Sequence, residues 1–113
     1  MSHKEKREYR KTVKKYRKQL MKLAKEWQPY DYGFILKALS IMIVGMKEYY
    51  ANGNCVIASE YCECFDDMKD HPTREQICDQ LWIALTLYCD TLEEQHRDHF
   101  FDLLKEYIGE LWD

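Results

Sequence analysis

Tyr9, Val13, Tyr16, Leu20, Leu23 and Trp27 recur at intervals of four, three, four, three and four residues, and nearly every position between them is polar or charged. That spacing keeps one narrow apolar stripe on one side of an α-helix, as in a coiled-coil seam. It predicts a helix from residue 3 or 4 to residue 27, about 36 Å long at the α-helical rise. Pro29 stops it, because the residue before a proline is pushed out of the helical region. Asp31 is placed to cap the next helix.

Over residues 32–50 the pattern changes. Phe34, Ile35, Leu36, Leu39, Ile41, Met42, Ile43, Val44 and Met46 leave almost no face polar. A helix apolar all round is either central in its own fold or covered by another chain. A chain of 113 residues has few helices with which to surround it. A homo-oligomer is therefore expected, with Ile35, Leu39, Met42, Ile43 and Met46 at its interface. The apolar run itself, residues 34–46, contains Lys37 and Ser40 and is too short for a membrane span, which needs about 20 apolar residues. Asn52-Gly53 ends the helix, the glycine suiting a left-handed cap.

Asn54 starts a short third helix reaching about residue 68, with Val56, Ile57, Tyr61, Phe65 and Met68 inward. His71-Pro72 breaks the chain, and Thr73 followed by Gln76 forms a capping box for a fourth helix. Its apolar positions are Ile77, Leu81, Ala84, Leu85, Tyr88 and Leu92, and the pattern resumes at Phe100, Leu103, Leu104, Tyr107, Ile108 and Leu111. An unbroken helix there would be far longer than is usual in so small a domain. Thr91 followed by Glu94 offers a restart. With only four glycines and two prolines, the fold class is all-α: one domain, residues 1–113, built as a bundle of four or five helices with a long basic N-terminal helix.

Charge divides the chain in two. Residues 1–27 hold eleven Lys/Arg against three Glu, a balance of +8, while residues 28–113 hold six against seventeen Asp/Glu, a balance of −11. A basic arm on an acidic body points to charged partners. Lys11, Lys14, Lys15, Arg17 and Lys18 could follow a phosphate backbone, which makes nucleic acid an alternative partner. The acidic residues Glu63, Asp66, Asp67 and Asp70 could instead face a basic groove on a protein partner, where complementary charge speeds and orients docking. Residues 1–10 lack the apolar core of a signal peptide. The five cysteines then read as reduced thiols, and the cytoplasm as the compartment.

Catalytic chemistry finds little support. Glu93-x-x-His96 has the spacing used in di-metal carboxylate bundles, but those sites need the motif twice together with further inward glutamates. His99 adds a third candidate ligand, and solvated or interfacial histidines are the simpler reading. Cys62 and Cys64 are two apart in a predicted helix, so their thiolates diverge around the axis instead of converging on zinc. Cys55, Cys78 and Cys89 lie beside apolar residues and read as small core side chains. No nucleophile elbow, phosphate loop or dinucleotide fingerprint is present. The expectation is a non-enzymatic interaction module with no cofactor and no metal.

The segment from Trp27 through Pro29, Asp31, Tyr32 and Gly33 to Ile35 and Leu36, continuing to Met46 and Tyr49-Tyr50, resembles a pattern in small uncharacterised bacteriophage proteins. There an Asp-Tyr-Gly or Asp-Trp start leads into a helix of leucine pairs that ends in Met and Tyr. The resemblance spans about a quarter of the chain. Those proteins usually carry Lys or Arg in mid-helix, where this chain has Ser40-Ile41-Met42-Ile43-Val44, a departure that favours a covered, oligomeric helix. The resemblance implies a phage-type accessory protein that binds a host protein in the host cytoplasm. With the acidic body, it implies inhibition of a nucleic-acid-dependent defence machine, as an anti-CRISPR protein acts.

Overall fold

A computed structural model describes residues 2–51 and 72–111, which form four α-helices and no strand. Helix α1 spans His3–Glu26, α2 spans Gly33–Ala51, α3 spans Arg74–Thr91 and α4 spans Glu94–Tyr107, followed by a 3-10 turn at Ile108–Glu110. The all-α bundle expected from the pattern is the architecture observed. The expected third helix, about residues 54–68, lies outside the described residues.

The helix ends follow from local chemistry. Ser2 caps α1: its hydroxyl accepts the Glu5 N–H at 3.1 Å, and the Glu5 carboxylate accepts the Ser2 N–H at 2.9 Å. Thr73 and Gln76 make the same reciprocal pair at α3, at 3.1 and 2.9 Å. At α2 the Asp31 carboxylate accepts the Gly33 N–H at 2.8 Å. Each satisfies a backbone donor that a helix start leaves without a partner.

The C-terminal pattern resolves into two helices, and the break differs from the expected Thr91–Glu94 box. Leu92 takes the left-handed conformation at φ 59° and donates its N–H to the Tyr88 carbonyl at 2.7 Å. The Thr91 hydroxyl turns back onto the Leu87 carbonyl and also accepts the Glu93 N–H. A left-handed leucine costs roughly 1–2 kcal/mol. Burial of both α3 and α4 offsets it, because the turn brings their apolar faces together.

Neighbours in sequence are neighbours in space: α1 packs on α2, α2 on α3 and α3 on α4. The core lies in the last three. Phe100, Leu81, Leu85 and Cys78 are fully enclosed, with Ala84, Ile77 and Ile43 almost so. Leu36, Leu39, Met46, Leu103, Leu104 and Tyr107 close around them. Burial pushes the Cys78 thiol up to about 11, with the Lys47 ammonium pulling the other way. Cys89, expected in the core, is exposed, because it lies at the mouth between α2 and α3 beside Tyr32 and Leu92.

Two polar ties orient the layers. Lys47 of α2 reaches Asp79 of α3 at 2.6 Å, which raises the Lys47 pKa, and its ammonium lies 5.9 Å from the Trp82 ring centre. Arg74, buried at the start of α3, donates through Nε to the Glu110 carbonyl and stacks its guanidinium over the Tyr50 ring. It thereby joins α2, α3 and the end of the chain. Neither tie is visible in the sequence pattern, since each links residues 24 or more positions apart.

Candidate interaction surface

Helix α1 meets the rest of the molecule along the predicted stripe, but shallowly. Val13, Tyr16, Leu20 and Leu23 are half-buried, Tyr9 and Trp27 are exposed, and the one enclosed α1 side chain is Thr12. The approach is set by Gly45 of α2, over which the Tyr16 ring lies. A Cβ at Gly45 would stand 3.1 Å from Tyr16 Cγ. Next to it the Tyr16 phenol, Glu48 and Lys15 form a small polar cluster. Lys15 Nζ is 3.6 Å from Glu48 Oε2, and burial, reinforced by the nearby Glu48 carboxylate, raises the Tyr16 pKa. At the other end Tyr9 and Tyr49 pack edge to face, 6.0 Å apart.

Between α1 and α2 runs an open groove of about 390 Å³, with Val13, Tyr16, Leu20, Met42, Met46 and Tyr49 among its lining residues. It shares Leu20 with a second hollow beneath Trp27, formed with Leu23, Phe34, Ile35 and Ala38. The seam is therefore apolar over most of its length. Past Val13 and Arg17 it adjoins a depression bounded on α1 by Arg10, Lys14, Lys18, Met21, Lys22 and Lys25.

The five residues expected at an oligomer interface separate. Ile43 is enclosed by this chain's own helices, and Leu39 and Met46 pack against the same core. Ile35 and Met42 remain outside, 62% and 44% exposed, on the lip of the seam. Helix α2 is apolar all round because α1 takes one side and α3 another. Two neighbouring helices cover more of it than the pattern alone suggested, and what they leave is this strip.

The cationic candidates stay on the surface. Lys11 pairs with Glu8 of its own helix at 3.8 Å, and Lys15 with Glu48. Lys14, Arg17 and Lys18 are exposed and form no ion pair among the described residues. Among those residues Lys15 is the one α1 cation paired with another helix. Glu63, Asp66, Asp67 and Asp70 lie outside the described residues, as do Cys55, Cys62 and Cys64.

Carboxylates of the body do gather elsewhere. Glu94, Asp98 and Asp102 recur every four residues along the exposed side of α4, close to exposed Phe101 and Ile108. The pattern reading did not single them out, although four-residue spacing on a predicted helix marks one face. Asp98 holds the neighbouring Arg97 at 3.1 Å.

Glu93 and His96, considered above as metal ligands, face one another at 3.4 Å, and Glu93 also accepts from Gln95 at 2.7 Å. Among the described residues no three His, Cys, Asp or Glu side chains converge on one point. No helix among them is long and apolar enough to cross a membrane. Comparison of the chain with protein-family models, curated proteins and solved structures returned no match.

Proposed function

We propose that the protein is a non-enzymatic interaction module whose working surface is the α1–α2 seam, and that this seam receives an acidic amphipathic helix from a protein partner. The observation that carries the reading is an apolar seam, with exposed Ile35 and Met42 on its lip, that meets a cationic edge where Arg17 lines the same groove as Met42, with Arg10 and Lys14 beyond it on α1. A helix in a groove is held by apolar side chains one or two turns apart, and charge at the rim sets its direction. The methionines suit this use, since their flexible thioethers adapt to a varied partner surface. The phage-type resemblance of residues 27–50 adds, apart from the occupant of the seam, the proposal that the protein works in the host cytoplasm and inhibits a host protein.

A photo-crosslinking side chain at position 42 tests the reading in cells. A discrete adduct is expected from position 42 but not from position 30, where Tyr30 is 84% exposed in the turn between α1 and α2 and lines neither hollow of the seam. Arg17→Glu should abolish it. Equal yields at the two positions would overturn the reading.

A second reading, nucleic-acid binding, rests on the length of the cationic face. From Arg7 to Lys25 it covers about 27 Å, most of one duplex turn of about 34 Å. It requires affinity that falls steeply with salt as counterions are released. Binding of duplex or single-stranded nucleic acid that Lys14→Glu with Lys18→Glu leaves unchanged would remove it.

A further inference from the structure

The seam has a complement on the same molecule. The exposed side of α4 holds the carboxylates Glu94, Asp98 and Asp102 with a single lysine, Lys105, and beside them lie two exposed apolar side chains, Phe101 on α4 and Ile108 in the 3-10 turn that follows it, at 45% and 59% exposure. These two are seven residues apart, as are Ile35 and Met42 on the lip of the seam. Seven residues is two helical turns, so each pair sits on one face with about 10.5 Å between its members. The cations Arg10, Lys14 and Arg17 span about 10.5 Å of α1, and the three carboxylates span about 12 Å of α4. Sign and spacing therefore match between two surfaces that α3 separates in one chain.

We propose, building on the interaction reading above, that the occupant of the seam is α4 of a second copy of this chain. Phe101 and Ile108 of one copy rest against Ile35 and Met42 of the other, and the α4 carboxylates face Arg10, Lys14 and Arg17. Each copy offers both a seam and an α4. A two-fold pair thus makes the contact twice, and each time three cations of one copy meet three carboxylates of the other. The pair also covers apolar surface that a single chain leaves open to water.

Native mass spectrometry of the full chain, with two charge-reversed variants, tests this. One variant carries Arg10→Glu with Arg17→Glu, the other Asp98→Lys with Asp102→Lys; all four positions are exposed. The wild type is expected at twice 13.8 kDa. Each variant alone should weaken self-association roughly 100-fold, the scale of like charges meeting across an interface. An equimolar mixture should regain it, because both of its contacts then join opposite charges. Phe101→Ser, which leaves charge unaltered, should weaken the pair independently. A wild type that stays monomeric up to roughly 0.1 mM, or a mixture of folded variants that does not associate, would overturn the proposal. If position 42 nevertheless crosslinks to a different polypeptide, the interaction reading stands and only the self-pairing falls. If it crosslinks to nothing, both fall.

Discussion

The hairpin of α3 and α4 and the long helix α1 are nearly opposite solutions to the same problem. In the hairpin, Leu81, Leu85, Cys78 and Phe100 are sealed from water, and Arg74 locks the ends together. Helix α1 encloses only Thr12 and rests on α2 along a shallow stripe whose nearest approach is Tyr16 over Gly45. The difference lies in the number of neighbours. Among the described residues α3 lies between two helices, whereas α1 packs chiefly on one, so its stripe is half-covered and its other faces carry charge. Stability is concentrated in one region and surface chemistry in the other, and regions with few buried contacts open at lower free energy.

The largest expected effect comes from breaking the sealed side. Phe100→Ala should cost about 3–5 kcal/mol and Leu81→Ala about 2–5 kcal/mol, from lost transfer energy and the cavity left behind. Thermal unfolding monitored by circular dichroism checks this; losses under about 1 kcal/mol would mean the hairpin is not the stable unit. A smaller change should separate the two regions. Gly45→Leu drives a side chain into the Tyr16 ring and should cost about 1–3 kcal/mol by overpacking. Hydrogen exchange should then show protection lost over residues 3–26 and retained over 74–107. Equal loss in both would show that α1 is integral to the core.

The smallest effect sharpens the boundary between α2 and α3. The Asp79 hydrogen bond raises the Lys47 pKa above 10.5, so the native state holds that proton more tightly than the unfolded chain. Its contribution is complete below pH 10.5 and is lost as pH rises through the folded pKa. The melting-temperature difference between wild type and Asp79→Asn should therefore be present at neutral pH and shrink above pH 10.5. A difference that persists unchanged would assign the effect of Asp79 to something other than this pair.

Much of this was legible along the chain. The 4-3-4 stripe located α1 and the side by which it docks, and Thr73 with Gln76 marked the start of α3. Ser2 and Glu5 carry the same capping signal and could have been read in the same way. The exposed cations of α1 were also evident, since a stripe so narrow leaves the other faces to solvent. The interface residues were not separable in advance. Ile35, Leu39, Met42, Ile43 and Met46 are alike in composition, and only the positions of α1 and α3 decide that Ile43 is enclosed while Ile35 and Met42 are bare. The left-handed Leu92 was illegible for a related reason: leucine has no preference for that conformation, and tertiary packing imposes it.

By itself the sequence determined helical class, helix starts and the opposition of a basic arm to an acidic body. These depend on periodicity, capping and charge within a few residues of one another. The tertiary structure alone decided which sides of α2 are covered, how Lys47 meets Asp79 and Arg74 meets Glu110, and that an apolar seam edged by cations and a carboxylate-bearing helix lie on separate surfaces of one chain. Those outcomes depend on where helices distant in sequence come to rest, and an apolar residue carries no mark of which neighbour will cover it.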